Sequence, residues 1–299
     1  MAATGGQWFP ANWPDRVRAI ARGELTPVPP RRAATVMLVR DGTEGVLEVF
    51  LLRRRASMSF AAGAYAYPGG AVDSRDGAPG RTARPPGPAP AGPDGEGGAE
   101  ADGGADEALV LAAVRETFEE AGVLLAGPTP DRLVTDVTGQ DWEADRADLV
   151  SGRLAFGTFL ARRGLVVRPD LLGHWARWIT PEFEERRYDT HFFLAAMPAG
   201  QRTRNASTEA DRVLWLRPAD AVAGYERGEL PMLPPTITTL RDLAAFPTVA
   251  AALAAARGRE VTPVMARARV EGRDVVLSWP GYEEFERRGT AVDNRGQNR

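Results

Sequence analysis

The chain predicts a mixed α/β fold (α/β in the α+β sense), in which helices cover a mixed sheet. Two apolar runs, 35–40 and 46–52, are joined by a polar segment with two glycines and predict an opening hairpin. An amphipathic helix is predicted over 107–122, and strand-length apolar runs then alternate with helical segments. At 299 residues the chain is long enough to bury a full core.

The first part of the chain adds an extension and an insertion to this plan. Residues 1–32 predict an N-terminal extension whose aromatic side chains are suited to anchoring on a neighbouring surface. Residues 74–105 are dominated by Gly, Pro, Ala and acidic residues, a composition that buries too little apolar area to offset chain entropy. We therefore predict a disordered surface insertion there, which is tolerable because the cost of loop closure grows slowly with length.

The main domain is predicted to span 33–246. Within it, residues 130–163 predict a helical insertion ahead of the later strands. The later elements are predicted as strands at 174–179, 190–196 and 212–216 and as helices at 218–227 and 236–245. Residues 247–299 predict a C-terminal extension, in which an Ala-rich helix precedes a short hairpin.

The composition excludes several classes of function. The formal net charge of −3 offers no cationic surplus for a nucleic-acid partner. The chain has no cysteine and no lysine, which excludes thiolate nucleophiles, a P-loop lysine and Schiff-base chemistry. Of the two histidines, His191 falls inside an apolar strand and is interpreted as structural, and His174 carries no functional signal. With no signal peptide and no membrane-spanning run in the sequence, we expect a cytoplasmic protein.

Three glutamates in the predicted helix carry the strongest functional signal. Glu116, Glu119 and Glu120 are three and four positions apart, which places them on one helix face. Carboxylates crowded in this way repel one another unless a cation lies among them, and hard oxygen ligands suit Mg²⁺ or Mn²⁺. The alternative is an acidic helix face exposed to solvent. A Pro-Gly-Gly turn ending at Gly70 favours the metal site, because glycine lets backbone carbonyls approach a ligand closely.

The segment Arg115–Val123, R-E-T-F-E-E-A-G-V, resembles the R-E-U-x-E-E-x-G-U core of the Nudix hydrolases, in which U is a bulky apolar residue. Thr117 departs from the first U position. Glu107 lies seven intervening residues before Arg115, as the family's earlier glutamate does. Gly70 corresponds to the family's leading glycine, which normally stands five intervening residues before that glutamate.

The longer gap in this chain resembles the branch that includes the peroxisomal coenzyme A diphosphatases, whose box carries an insertion. The resemblance covers about 33–245 and implies a Nudix-type α/β/α sandwich around the mixed sheet, with inserted helices and a C-terminal extension.

The resemblance also implies roles for the site residues. The metal ligands would be Glu116, Glu119, Glu120 and the carbonyl of Gly69. Glu116 is either a ligand or the general base, and Arg115 orients the glutamates by ion pairing.

Nudix enzymes often take a further ligand or base from a loop outside the helix. Glu209 is the first candidate for this catalytic role, because it precedes a predicted strand. Glu182, Glu184 and Glu185 are the alternatives, and each of the four is otherwise a surface carboxylate.

Three arginines and a tyrosine are the candidates for substrate binding. Arg54 and Arg55 end the second strand, where they either meet phosphate groups or lie on the surface. Arg187 and Tyr188 match a family-like run and either hold phosphate or stack on a base. Pairing of Arg187 with Asp189 is the alternative.

The function that the resemblance implies is a divalent-metal-dependent pyrophosphohydrolase, acting with Mg²⁺ or Mn²⁺ on a nucleoside diphosphate linked to another moiety. Coenzyme A or acyl-coenzyme A is the favoured substrate, although the chain lacks the Thr-x-Arg-Ser signature of other coenzyme A-cleaving members. Hydrolysis of NADH, ADP-ribose or a nucleotide sugar stays open, as does a non-catalytic nucleotide-binding sensor. The expected partner is thus a small molecule, with no nucleic acid or membrane, and a homodimer is compatible with the family.

Overall fold

The computed structural model describes residues 12–58, 61–73, 76, 107–206, 209–272, 274–280 and 282–287 of the chain. The helices are α1 (Trp13–Ala21), α2 (Glu107–Ala121), α3 (Gln140–Val150), α4 (Phe156–Arg163), α5 (Pro218–Glu226), α6 (Pro234–Leu243) and α7 (Val249–Arg257). The strands are β1 (Arg31–Asp41), β2 (Leu47–Arg54), β3 (Tyr65–Ala66), β4 (Gly69–Ala71), β5 (Ala126–Gly127), β6 (Val166–Val167), β7 (Gly173–Ile179), β8 (Tyr188–Ala196), β9 (Ala210–Leu216), β10 (Pro263–Met265), β11 (Arg267–Glu271), β12 (Asp274–Trp279) and β13 (Tyr282–Arg287).

Strand β1 lies at the centre of the main sheet and gives it its mixed character. The strand order is β10-β7-β8-β1-β2-β3, with β4 pairing with β1 and β9 pairing with β2. β1 is parallel to β8, with Thr35 opposite Phe192, and antiparallel to β2, with Val39 opposite Val49. The predicted hairpin and mixed sheet are confirmed, and β1 already begins at Arg31.

The two faces of β1 enter two separate hydrophobic cores, because successive side chains of a strand point to opposite faces. Ala34 and Val36 are fully buried in the core that also contains side chains of α2, α3 and α4. Met37 and Val39 are fully buried in the core that contains side chains of α1, α5, α6 and α7. Helices therefore cover both faces of the sheet, and the predicted α/β/α sandwich is confirmed.

The extensions and insertions are described in part. Helices α3 and α4 fall inside the predicted helical insertion, whereas 1–11 and the predicted insertion at 74–105, apart from Asp76, lie outside the described residues. At the C-terminal end, β10 joins the main sheet beside β7, and β11, β12 and β13 form a separate three-stranded sheet. The domain limits at 33 and 246 stay predictions. Within the described ranges, no helix has both the length and the apolar character needed to cross a membrane.

Candidate active site

Helix α2 carries its three glutamates beside the core that it helps to build. Nine of its residues, spaced from Leu109 to Ala121, are buried, whereas Glu116, Glu119 and Glu120 are partly buried. Thr117, at the position that the resemblance reserves for an apolar residue, is fully buried and donates its hydroxyl to a carbonyl one turn earlier at 2.7 Å. The hydroxyl of Thr117 is therefore hydrogen-bonded within the helix, although the position is buried.

The two glycines of the Pro-Gly-Gly turn lie against the glutamates. The backbone N–H of Gly69 donates to the carboxylate of Glu120 at 2.9 Å. A Cβ atom on Gly70 would stand 2.4 Å from Oε1 of Glu116, so a larger residue at this position would displace that carboxylate. The structure thus brings together the glycines and the helix that the sequence separates, while ligation through the Gly69 carbonyl stays a prediction.

Arg115 is held by a buried aspartate that the sequence analysis missed. Its Nε and Nη2 atoms donate to the two carboxylate oxygens of Asp76 at 2.8 and 2.9 Å. Its Nη1 atom donates to Glu116 at 2.7 Å, and its Nη2 atom also donates to the carbonyl of Ala71 at 3.0 Å. Asp76 is 1% exposed. Arg115 therefore links Asp76 to Glu116, while its role in orienting the glutamates for catalysis stays a prediction.

The position of Asp76 changes where the box is interrupted. Asp76 follows Gly70 after five intervening residues, the spacing that the resemblance gives between the leading glycine and the first acidic residue. Glu107 is exposed at the first residue of α2. The interruption therefore falls after Asp76, and the spacing from Gly70 was the signal that would have identified this residue in the sequence.

The electrostatics of this glutamate cluster (Asp76, Arg115, Glu116, Glu119 and Glu120) disfavour its own negative charge. Burial, and next the charge of Glu116, raises the pKa of Glu119 to about 7. Burial likewise raises the pKa of Glu116, although the charge of Arg115 lowers it. Burial also raises the pKa of Glu120 well above its ordinary range, although the hydrogen bond from the Gly69 N–H lowers it. Burial dominates because it removes water from the charged form.

A divalent cation fits the chemistry of this donor set. The donors are carboxylate oxygens, the ligands that Mg²⁺ and Mn²⁺ prefer, and a bound cation would offset the cost of their buried charge. Among the residues that the structure describes, no three acidic or imidazole groups already converge as a cation cage. Glu116 contacts Arg115 and Glu120 contacts the Gly69 N–H, so a cation would have to compete with these contacts.

Three of the other predicted residues lie beside the cluster. The negative charge of Glu209 raises the pKa of both Glu116 and Glu120, and the positive charge of Arg54 lowers that of Glu120. An Nη2 atom of Arg54 stands 4.0 Å from a carboxylate oxygen of Glu209. Arg55 is exposed, and its backbone N–H donates to the Glu209 carbonyl at 2.8 Å. The structure therefore places Arg54, Arg55 and Glu209 at one end of the cluster.

Arg187 and Tyr188 have other surroundings. The buried guanidinium of Arg187 donates to the carbonyls of Thr180 and Val28, at 3.0 and 2.7 Å, and so joins segments distant in sequence. Tyr188 begins β8 beside Arg31 of β1. The substrate-binding role predicted for Arg187 and Tyr188 is not supported by these contacts and stays a prediction. Of the alternative carboxylates, Glu185 pairs with Arg16 of α1, in the layer on the other face of the sheet.

Arg146, which the sequence analysis missed, connects the helical insertion to the site. Nη1 of Arg146, on α3, donates to the carbonyl of Glu119 and to the carbonyl of Ala206, each at 2.9 Å. Arg146 is 8% exposed and also pairs with Glu143. It therefore fastens the end of α2 to the segment that leads towards Glu209. Nothing in the local sequence distinguishes Arg146 from a surface arginine.

Comparison with known proteins agrees with this arrangement. The family model described as the NUDT19 Nudix domain matches residues 97–243. The chain is similar to the acyl-coenzyme A diphosphatase NUDT19 of Xenopus laevis, with 27% identity over 46% of this chain and 39% of that protein. It is similar to the Gallus gallus protein of the same name, with 30% identity over 46% of this chain and 41% of that protein. The chain thus matches about two fifths of the length of these relatives.

A solved structure extends the likeness to most of the chain. The crystal structure of a NUDIX hydrolase from Alicyclobacillus acidocaldarius is 32% identical and superposes with a TM-score of 0.63. The match covers 76% of this chain and 96% of that one. The likeness therefore reaches well beyond the glutamate helix.

Proposed function

The chain belongs to the Nudix hydrolase family, and we propose that it is a divalent-metal-dependent pyrophosphohydrolase of coenzyme A or acyl-coenzyme A. The bond cleaved is the one between the bridging oxygen of the diphosphate and the phosphorus that water attacks. Water adds to one phosphorus, and the products from coenzyme A are phosphopantetheine and adenosine 3′,5′-bisphosphate.

The observation that carries the proposal is the excess of carboxylate at the glutamate cluster. Asp76, Glu116 and Glu119 share the single guanidinium of Arg115, at 2.8, 2.7 and 3.6 Å, and burial still keeps the pKa values of Glu119 and Glu120 raised. Anionic groups are costly in such a place unless a cation joins them. A diphosphate is also anionic, so a cation at this site would bind protein and substrate together.

The residues of the cluster divide into ligands and supports. Glu119 and Glu120 are the proposed ligands, and the Gly69 N–H holds Glu120 towards the turn. Arg115 fixes Glu116, which serves as a further ligand or as the base. Bound Mg²⁺ or Mn²⁺ would neutralise the diphosphate oxygens and lower the pKa of a coordinated water.

Glu209 is the proposed general base from outside the helix. Its side chain is 56% exposed, so it can reach an incoming water, and its charge is felt by both Glu116 and Glu120. In this role its carboxylate would accept the proton of the attacking water. Arg54, close to Glu209, would meet the phosphate oxygens of the substrate.

The choice of coenzyme A is supported by the names of the relatives and by the arginines beside the site. The matched Xenopus laevis and Gallus gallus proteins are named acyl-coenzyme A diphosphatases. Coenzyme A carries a phosphate on its ribose in addition to its diphosphate. Arg54 supplies positive charge near Glu120, and Arg55 lies beside Glu209.

A substrate panel tests the proposal. The full chain would be incubated with Mg²⁺ or Mn²⁺ and with coenzyme A, acetyl-coenzyme A, NADH, ADP-ribose or a nucleotide sugar. We expect the largest kcat/KM for the coenzyme A compounds and no turnover in the presence of a chelator. A preference for another member of the panel would replace the substrate, and nucleotide binding without any turnover would establish a sensor instead.

A further inference from the structure

A cleft opens beside Glu119, between α2 and the turn that joins α3 to α4. Its volume is about 310 Å³. On one side it is bordered by Arg115 and Glu119 of α2 and by Asp73 and Asp76, and on the other by residues 149–152 and 154–156. It is therefore continuous with the glutamate cluster.

The size of the cleft suits one end of a substrate. Sites for small molecules usually measure about 300–1,000 Å³, so this cleft lies at the lower limit. A diphosphate bound over the glutamates would extend in two directions, and the group attached to one phosphate would enter the cleft. The other group would point away from it.

The charges of the two ends differ in sign. At the cleft, Asp73, Asp76 and Glu119 outnumber the single guanidinium of Arg115, which Asp76 and Glu116 already contact. At the other end, the positive charges of Arg54 and Arg55 outnumber the single carboxylate of Glu209. A phosphorylated nucleoside is therefore disfavoured in the cleft and favoured at the arginine end.

The lining of the cleft suits a neutral chain with polar groups along it. The wall is mostly polar: Ser151 and Gly152 are exposed in the turn, whereas the apolar side chains of Leu154 and Phe156 are buried. Hydrogen-bonding groups in such a wall suit an uncharged ligand that carries amides.

We propose that this cleft binds the neutral, amide-bearing arm on the non-nucleoside side of the diphosphate, which in coenzyme A is the pantetheine arm. The proposal rests on the proposed function and adds an orientation to it. The phosphorylated nucleoside lies towards Arg54, the diphosphate lies over the glutamates, and the arm passes Glu119 into the cleft.

The test fills the cleft without touching the glutamates. Ala155 lines the cleft and is half-buried, so Ala155→Leu would occupy part of its volume. Thr158→Leu is the matched control, because Thr158 is exposed on α4, which begins directly after Ala155, and does not line the cleft. We expect Ala155→Leu to weaken calorimetric binding of 4′-phosphopantetheine by about tenfold, equivalent to about 1.4 kcal/mol. Binding of adenosine 3′,5′-bisphosphate should stay within about twofold of wild type, and Thr158→Leu should change neither.

Steady-state kinetics separate this proposal from the proposed function. If wild type hydrolyses coenzyme A and Ala155→Leu leaves its KM unchanged, the cleft assignment is wrong and the function stands. If wild type hydrolyses no coenzyme A compound, the proposed function fails first. Ser151→Leu, at an exposed position that also lines the cleft, repeats the test if Ala155→Leu lowers the melting temperature.

Discussion

Two clusters of ionisable side chains flank Ala34 on the same face of the sheet, and they balance their charge differently. Gly70 lies opposite Ala34 on one side, with the glutamate cluster over it, and His191 lies opposite Ala34 on the other side. His174, Asp189 and Arg177 lie around His191, and we call these four residues the histidine cluster.

The histidine cluster is balanced by its own members. Arg177 donates to both carboxylate oxygens of Asp189, at 2.9 and 2.8 Å, and holds the pKa of Asp189 below its usual range. The ring nitrogens of His174 and His191 are 3.1 Å apart and hydrogen-bond to each other. Every group has a partner without any added ion, which agrees with the structural role predicted for His191.

The glutamate cluster, in contrast, retains carboxylates with raised pKa values. Charge balance, more than the number of buried ionisable groups, therefore distinguishes a candidate catalytic site from a structural one. A site that must bind a cation keeps an imbalance that the cation can remove.

Removing a proposed metal ligand should have the largest effect on catalytic activity. Glu120→Gln keeps the shape of the side chain and its contact with the Gly69 N–H but removes the charge. Because a catalytic metal contributes several kcal/mol, we expect kcat to fall by about 10²–10³-fold at saturating Mg²⁺. The melting temperature of the metal-free protein should not decrease. Full turnover by this variant would contradict the ligand role.

Removing the support of Arg115 should have the next largest effect. Asp76→Asn loses the charge that Arg115 contacts at 2.8 Å, so Arg115 and Glu116 should become less ordered. Partners that orient ligands typically contribute about 10–100-fold to activity, and we expect a loss of kcat in that range with little change in KM. Asp148→Asn is the control, because Asp148 pairs with Arg153 on the surface. Equal kinetics for the two variants would show that Asp76 does not position Arg115.

The sequence predicted best what depends on short-range periodicity. The apolar run of β1 and the spacing of Glu116, Glu119 and Glu120 follow from the geometry of a strand and a helix. The α/β/α layers and the meeting of Gly69 with Glu120 came from the resemblance to a family.

Long-range partners could not be predicted in this way. Asp76 and Arg115 are 39 residues apart, and the carbonyls that Arg146 contacts are 27 and 60 residues away. The buried guanidinium of Arg187 contacts a carbonyl 159 residues away. Charged residues are usually exposed, so burial of an arginine depends on the tertiary structure and leaves no local pattern.

The excess negative charge of the glutamate cluster should also lower the free energy of unfolding when no metal is bound. Burial raises the pKa of Glu119 from 4.5 to about 7, so the folded state binds more protons than the unfolded state between these values. Stability therefore falls as pH rises through this window, and the cost is fully present above pH 7. With chelator at pH 8, we expect Glu119→Gln to be more stable than wild type by about 2–3 kcal/mol in urea unfolding.

Mg²⁺ should reverse this order, because it binds the wild-type carboxylate and stabilises the folded state by mass action. Glu229→Gln provides the control, since Glu229 forms an exposed pair with Arg227 and should change stability by less than about 0.5 kcal/mol. A chelated Glu119→Gln protein less stable than wild type at pH 8 would argue against the charge imbalance.

The histidine cluster should respond to pH in the opposite direction. Burial, and next His174 and Arg177, lower the pKa of His191 from 6.5 to about 4, while Asp189 opposes them and Arg32 lowers it slightly. The unfolded state then binds more protons between pH 4 and 6.5, so stability is fully present above 6.5 and is lost as pH falls.

Because Glu119 titrates in an overlapping window with the opposite sign, the His191 contribution is best measured in the Glu119→Gln protein. The free energy of unfolding of the Glu119→Gln protein should fall by about 1–2 kcal/mol between pH 7 and 4.5, and this loss should be absent when His191→Gln is added. An equal pH dependence in the two proteins would mean that the imidazole pair accepts a proton without cost. The histidine cluster would then not be balanced by its own members, and the contrast with the glutamate cluster would disappear.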